Sequence, residues 1–334
     1  MYIAGDIGGT KTLLALYAAG TTRPPILERR YASREFPDFA GLLSVFLAEA
    51  AQQGIAYQPL GGACFGVAGP VVDNRAQLTY LPWLMDGAAL ASRFDIGRVI
   101  LTNDFAAAAT GVAALGAEDV ATLQPGEAQA RGARVALGAG TGLGVAILAP
   151  VDGRHQVIAG EGGHVGFAPR NDTEAQLWRT LNAELGRVTA ETVVSGPGLV
   201  RVYRHLVRSG ESSTHDAAGL LAAPDPAAAI ATAALDGTDS QARASVDLFL
   251  SCYGAFAGDL ALTAMATGGV FLCGGIAPKL LPLLQQGSFL DGFRAKGGHS
   301  RLAATFPVHV VLDEKLGLHG AALIAAQAAE SAPP

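Results

Sequence analysis

The chain has 334 residues, 50% of them hydrophobic and 16% charged, with 43 glycines and a net charge of −6. That length and apolar content suit a large core in about two domains, and low charge with abundant glycine excludes a disordered chain or a coiled coil in favour of an α/β enzyme with many tight turns. No basic stripe is visible, which argues against nucleic acid and anionic membrane surfaces as partners, so an anionic ligand must be held by local loops.

In chain order, Met1–Gly20 reads as a strand, a glycine turn over Gly5–Thr10, and a second strand from Thr12 to Tyr17. A turn leading into a strand makes a hairpin, which separates it from a P-loop, where a helix follows. Neither common phosphate fingerprint fits: Thr10 stands between Gly9 and Lys11, and Gly5 is followed by Asp6, Ile7 and Gly8. Asp38–Gly54 is an amphipathic helix with Asp38 as cap and Gly54 as stop. A buried strand runs into Gly69-Pro70, and Val99–Thr102 is a strand that meets Asn103-Asp104 and then an alanine-rich helix. Arg134–Pro150 repeats the opening strand–glycine–strand design. Helices follow from Ser195, from Asp225 as cap to Gly237, and from Gln241 to Ala266. The last invites a membrane reading, but Asp247 and Asp259 lie inside it, so a buried helix is expected. A strand with a Gly274-Gly275 turn, a last strand from Pro307, a closing helix and a loose tail over Ser331–Pro334 complete the chain. The three cysteines, Cys64, Cys252 and Cys273, form no Cys-x-x-Cys pair, and with no targeting signal at the N-terminus a reduced cytoplasm is expected.

Two hairpins in opposite halves suggest two related domains that offer glycine turns to one ligand. Glycines let backbone N–H groups approach a phosphate, and Thr10 and Thr141 add hydroxyls at matching places. A single such turn is ordinary in α/β folds; a pair favours phosphate binding. Asp6 beside a phosphate turn is repulsive unless a cation such as Mg²⁺ lies between, although an Asp often just stabilises its own turn. Asn103-Asp104 at a strand's carboxyl end reads either as a helix cap or as a base with an orienting amide. Glu161-Gly-Gly-His164 argues for a loop that grasps a polyol, since no Cys or His follows to build a zinc site. Glu191 alone reads as a surface charge. Together an Asp, an Asn, two Glu and a His suit the hydroxyls of a neutral sugar. With the phosphate turns, the sum is phosphoryl transfer from a nucleotide to a sugar hydroxyl.

The stretches "GDIGGT", "LTNDFAAAA", "LGAGTGLGVA", "EGGHVGFAP" and "ETVVSGPGLVRVY" resemble the bacterial glucokinases of the hexokinase–actin–chaperone ATPase superfamily, in order along nearly the whole chain. The resemblance implies an α/β, two-domain sugar-kinase fold, ribonuclease H-like and actin-like, with an interdomain cleft. Its small domain would span residues 1–110 and take in the C-terminal helix 315–330, and its large domain would span 111–314. It implies Asn103, Asp104, Glu161, His164 and Glu191 as glucose ligands, with Asp104 as catalytic base. Gly5, Asp6, Ile7, Gly8, Gly9 and Thr10 would form the first ATP turn, Gly138, Gly140, Thr141 and Gly142 the second, and Gly274 and Gly275 would flank adenosine. Asp6 would carry Mg²⁺, directly or through water, and a cytoplasmic homodimer is common in the family. Lys11 departs from the family's asparagine and resembles a sibling group of sugar kinases and repressors, whose cysteine-rich zinc loop is absent here. The rival readings are a kinase of another hexose or N-acetyl amino sugar and a non-catalytic sugar sensor. A sensor that is a transcription factor would need a helix-turn-helix segment, for which there is no room before the first strand; a nicotinamide oxidoreductase lacks its glycine fingerprint.

Overall fold

A computed structural model describes residues 1–79, 81–209 and 217–330. The tail expected over Ser331–Pro334 lies outside the described residues. The chain forms two compact units, Met1–Gly116 with Asp313–Pro334, and Ala117–Leu312.

The sheet of the first unit is built from β1 (Tyr2–Ile7), β2 (Lys11–Tyr17), β3 (Leu27–Ala32) and β4 (Gly62–Val67). A small antiparallel sheet follows: β5 (Val71–Val72), β6 (Arg75–Gln77) and β7 (Leu84–Asp86). Then β8 (Val99–Asn103) completes the main sheet, in the order β3-β2-β1-β4-β8. The β1–β2 and β2–β3 pairs are antiparallel, and β1–β4 and β4–β8 are parallel. Both faces are covered, as near-continuous apolar strands require. Strand alternation sorts the side chains. Ile3, Ile7, Leu14 and Leu16 pack with Phe39, Leu42, Leu43 and Phe46 of the helix Phe39–Gln52. Tyr2, Ala4, Leu13 and Ala15 pack with Leu318, Ala321, Ala322 and Ala325 of the C-terminal helix Leu316–Glu330. Asp38 caps the former helix by accepting from the Gly41 N–H at 2.7 Å, as its position in the sequence suggests. The C-terminal helix also lies hard against the helix Asp104–Gly111: a Cβ added at Gly320 would meet the Ala107 carbonyl oxygen at 1.7 Å. No residue other than glycine allows that backbone approach.

The second unit opens with β9 (Val120–Gln124), then β10 (Arg134–Ala139), β11 (Leu143–Val151), β12 (Arg154–Gly160), β13 (Gly269–Cys273) and β14 (Val308–Val311). Their order is β12-β11-β10-β13-β14-β9. Again the first two pairs, β10–β11 and β11–β12, are antiparallel, and β10–β13 and β13–β14 are parallel. The sheet's inner face packs on the helix Ser240–Ala264, whose Val246, Phe249, Leu250 and Tyr253 are buried. Among the described residues this is the one helix long and apolar enough to cross a membrane, and over half of its apolar window is enclosed by the protein. Asp239, unassigned by the sequence reading, caps it through the Ala242 N–H at 2.7 Å. Asp225 caps Pro226–Asp236, and Gly237 ends that helix in the left-handed conformation with φ +68°, as expected. All three cysteines are reduced and buried.

Candidate active site

The first unit gathers its polar groups at the carboxyl ends of β1 and β8. The β1–β2 ladder runs to the Ile7–Thr12 pair, so the turn is Gly8–Lys11. The Gly8 N–H donates to the Lys11 carbonyl at 2.9 Å. Ser33 buttresses this turn: its N–H donates to the Thr10 carbonyl at 3.0 Å and its hydroxyl to the Gly8 carbonyl at 2.8 Å. Thr12 and Ser33 share a further buried hydroxyl contact at 2.9 Å. Neither brace was read from sequence, because Ser33 follows a strand that the sequence reading did not assign.

Asp6 stands one residue before the end of β1, opposite Leu13 and beside Gly66 of β4. A Cβ at Gly66 would lie 3.6 Å from the Asp104 Cα, so β4 places Asp104 on the neighbouring side of the same glycine gap. Gly317, in the first turn of the C-terminal helix, also borders Asp6: a Cβ placed there would lie 3.4 Å from the carboxylate. The sequence signal for that contact was a bare Gly-Leu-His-Gly inside a helical pattern. Burial pushes the Asp6 carboxyl above its usual 3.8; the negative charge of Asp104 adds to the rise and Lys11 opposes it. Burial likewise raises Asp104, against hydrogen bonds from the Phe105 N–H and the Asn103 side chain.

The structure separates two roles that the sequence left joined. Asn103, not Asp104, is the cap of the helix Asp104–Gly111: its Oδ1 accepts from the N–H groups of Phe105 at 2.9 Å and Ala106 at 3.2 Å. Its amide Nδ2 donates to the Gly69 carbonyl at 3.4 Å. Asp104 accepts from the adjacent Phe105 N–H at 2.7 Å and has a second carboxylate oxygen to offer.

In the second unit the β10–β11 ladder ends at the Ala139–Leu143 pair, leaving the turn Gly140–Gly142. The Gly140 N–H donates to the Gly142 carbonyl at 2.8 Å, and the Gly140 carbonyl accepts from the Gly196 N–H at 2.8 Å. Nothing lies within 4 Å of a Cβ placed at Gly140 or at Gly275. Gly274 has φ +81° and its Cβ position falls 2.8 Å from the Ala139 carbonyl, so the two glycine stretches meet at the carboxyl ends of β10 and β13.

Glu191 does not behave as a free surface charge. It lies in the first turn of the short helix Ala190–Val193, and its Oε2 accepts from the Leu143 N–H at 2.8 Å. A Cβ at Gly142 would strike the same oxygen at 2.7 Å. The Thr189/Thr192 capping box fixes that helix start. Glu161-Gly-Gly-His164 is a single tight 3₁₀ turn over Gly162–His164 rather than an open loop, a correction to the expectation. Two close approaches force it: Gly163 fits under the Leu143 carbonyl with its Cβ position at 2.2 Å, and Gly162 fits against Val145 at 2.8 Å. Glu161 and His164 project outward, with side chains 90% and 58% exposed and Oε2 to Nε2 at 3.8 Å. The strand-like segment after them is tied to the one before Glu191, through the Ala190 N–H to the Val165 carbonyl at 2.9 Å. Glu161, His164, Glu191 and both glycine turns of this unit therefore share one end of its sheet.

Among the described residues, no group of three or more His, Cys, Asp or Glu side chains gathers to hold a metal. Two enclosed carboxylates at a phosphate-type turn still fit Mg²⁺, which is bound through one or two carboxylates plus phosphate oxygens.

The glucokinase family model matches residues 3–328. The chain belongs to the glucokinase family. It is 44% identical to a glucokinase of Synechocystis sp. (strain ATCC 27184 / PCC 6803 / Kazusa), over 98% of each sequence. The crystal structure of a glucokinase from an Antarctic psychrotroph superposes with TM-score 0.85 at 29% identity, over 98% of both chains. A ROK family glucokinase from Streptomyces griseus, solved with glucose and AMPPNP, shares the fold at TM-score 0.62 and 24% identity, covering 98% of this chain and 99% of that one. The expectation of an α/β, actin-like sugar-kinase fold and of glucokinase family membership is met. Of the five polar positions that the sequence pointed to, Asn103 ends β8, Asp104 opens the helix after it, Glu161 and His164 lie at the 3₁₀ turn that follows β12, and Glu191 lies in the short helix Ala190–Val193.

Proposed function

We propose that the chain is an ATP-dependent glucokinase, transferring the terminal phosphoryl group of ATP to the 6-hydroxyl of D-glucose to give glucose 6-phosphate and ADP. The observation that carries the reading is Asp104, an enclosed carboxyl at a strand's end whose affinity for a proton is raised by burial. A base must accept a proton at working pH, and a raised carboxyl is better matched to that task than an ordinary one. Asp104 takes the hydroxyl proton as the oxygen attacks the γ-phosphorus. Asn103 orients the same hydroxyl region. Glu161, His164 and Glu191 bind the remaining hydroxyls, each carboxylate accepting from adjacent ones.

The turns Gly8–Lys11 and Gly140–Gly142 supply backbone N–H groups to the donor's phosphates, and Gly274-Gly275 leaves room for adenosine. Asp6 would hold Mg²⁺ beside the donor's phosphates; when bound, the ion would supply positive charge that offsets the donor's own. The domains assigned from sequence, 1–110 with 315–330 and 111–314, carry these two ligand sets. The proposal extends to a cytoplasmic homodimer, on family membership.

A coupled assay tests it. Sugar-phosphate formation should require glucose, ATP and Mg²⁺ together, and should be slower with mannose, fructose, N-acetylglucosamine or polyphosphate in place of the matching substrate. Faster turnover with another sugar or donor would overturn the glucose or ATP assignment.

A further inference from the structure

One ion pair of the second unit has no part in the reading above. Among the described residues two carboxylate residues are the most deeply buried, Asp239 at 7% exposure and Glu174 at 0%. Asp239 is accounted for as the cap of the helix Ser240–Ala264. Glu174 lies in the first turn of the helix Asp172–Leu185, which already has Asn171 as its cap: the Asn171 Oδ1 accepts from the Glu174 N–H at 2.9 Å. The start of that helix does not need the carboxylate.

Glu174 is bonded instead to the residue before the cap. Its Oε2 accepts from the Arg170 N–H at 2.8 Å and from the Arg170 Nε at 3.1 Å. Its Oε1 accepts from the Arg170 Nη2 and from the Asn171 Nδ2, the latter at 3.3 Å. The Arg170 Nη2 donates onward to the Ser251 hydroxyl of the core helix at 2.8 Å. A guanidinium gripped by both oxygens is fixed in direction as well as in distance. Taking such a pair out of water costs about as much as its attraction returns, so an apolar pair of like volume would hold the helix equally well. What the charged pair adds is a fixed place for the Arg170 backbone.

That place matters because of what precedes it. The stretch Val165–Arg170 begins directly after His164. Its front half pairs with the residues that lead to Glu191: the Phe167 N–H donates to the Val188 carbonyl at 3.1 Å, the Ala190 N–H donates to the Val165 carbonyl at 2.9 Å, and Gly166 stands opposite Thr189. Glu161 and His164 stand before one side of this small ladder, and Glu191 follows the other. Two short strands paired alone are marginal, so the ladder depends on what anchors it. Arg170 is its far end, and Glu174 and Ser251 are the anchor.

We propose that Glu174 is a positioning residue for the sugar-binding side chains: through Arg170 it fixes the stretch Val165–Arg170, and with it the places of Glu161, His164 and Glu191. The inference rests on the reading of those three as glucose ligands. Glu174 is buried, touches no substrate and moves no proton. It acts on glucose only through the backbone that it holds.

The experiment compares the wild type with Glu174→Gln, Arg170→Lys and the double variant Arg170→Met/Glu174→Met. Glucose and ATP KM are measured separately, glucose binding by calorimetry without ATP, and amide exchange by mass spectrometry. Glu174→Gln strands a buried guanidinium and should lower the melting temperature. The double variant removes both charges and should melt close to the wild type, which separates stability from position. In it the KM and Kd for glucose should still rise about tenfold, the order of one charged hydrogen bond, with the KM for ATP within about twofold. The amides of Gly162–Phe167 should exchange faster, while those of the core helix Ser240–Ala264 stay as protected as before. Arg170→Lys keeps the charge without the fork and should fall between, and it carries the comparison if the double variant does not fold. Glucose KM and Gly162–Phe167 exchange both at wild-type values in these variants would overturn the inference. An equal rise in both KM values would overturn it as well, since it marks a general loosening. A wild type that neither binds nor phosphorylates glucose would instead break the sugar assignment, and exchange over Gly162–Phe167 would still decide whether Glu174 holds that stretch.

Discussion

The two units are the same scaffold put to different chemistry. In each, a meander of three antiparallel strands continues into two parallel ones: β3-β2-β1-β4-β8 in the first and β12-β11-β10-β13-β14 in the second. The penultimate pair of each first hairpin is equivalent. It is Asp6–Leu13 in one and Gly138–Gly144 in the other. The first unit thus places a carboxylate where the second has bare backbone. At the end of the fourth strand the contrast reverses in kind: β4 leads to Ala68-Gly69, and β13 to the left-handed Gly274 against Ala139. One copy concentrates titratable groups, Asp6, Lys11 and Asp104. The other offers open glycine turns, with Glu161 and His164 facing outward. Shared topology fixes where side chains can be aimed; the residues at those places decide what is done there.

The sharpest way to break this division is Asp104→Asn. The amide keeps the shape and the oxygen that accepts from Phe105 but cannot take a proton. Steady-state turnover should fall by about 10²–10⁴, the usual scale for removing a general base, with glucose affinity nearly unchanged. Near-normal turnover would show that the first unit's carboxylate cluster does not carry the chemistry, and the contrast between the units would lose its functional meaning.

A smaller effect should come from the second unit, where backbone rather than charge is at stake. In Gly142→Ala the new methyl meets the Glu191 carboxylate at 2.7 Å and must displace it from the Leu143 N–H. The KM for glucose should rise about tenfold, the order of one charged hydrogen bond, and kcat should fall less. A glycine-to-alanine change in the first turn, Gly8→Ala, meets only the Lys11 carbonyl at 3.0 Å and should leave glucose KM unchanged. If both variants behave alike, the two turns are not specialised.

Much of this arrangement was legible in the sequence because local chemistry and tertiary structure agreed there. The hairpin over Tyr2–Tyr17, the Asp38 and Asp225 caps, the core helix and the strand–Asn103-Asp104–helix junction each have a local physical cause. What stayed hidden depends on partners distant along the chain. Glu191 reads as a surface charge until its hydrogen bond to Leu143, 48 positions away, is seen. Ser33 braces a turn 25 residues earlier, through Gly8. The Glu161–His164 stretch reads as a loop because its glycines suggest flexibility, whereas they are there so that Leu143 and Val145 can come close. β3, β9 and β12 lie at or near sheet edges, where half-exposed, mixed-polarity segments give no clean period.

The finest distinction between the units is one of stability, and pH reveals it. Asp6 and Asp104 have folded-state pKa values raised above the 3.8 of a free carboxyl, chiefly by burial. The folded chain then holds these protons more tightly than the unfolded chain. Below the unfolded value both states are protonated and nothing is lost. As pH rises through the window between the unfolded and folded values, the unfolded chain releases its protons first, and stability falls. Above the folded values the full penalty is in place, so at neutral pH the first unit carries the cost of two enclosed charges. Asp104→Asn removes one of them and also relieves Asp6 of a neighbouring charge. The variant should melt above the wild type at pH 7 to 8, by a few degrees at roughly 2–4 °C per kcal/mol. The advantage should shrink as pH falls through the folded pKa and vanish near pH 4. Glu161→Ala, which removes an exposed carboxylate from the other unit, should show no such pH-dependent gain. Thermal melts of the three proteins across this range decide the matter: an Asp104→Asn chain no more stable than the wild type at any pH would mean that the carboxylate sits there at no cost, contrary to the strain that the first unit's site imposes.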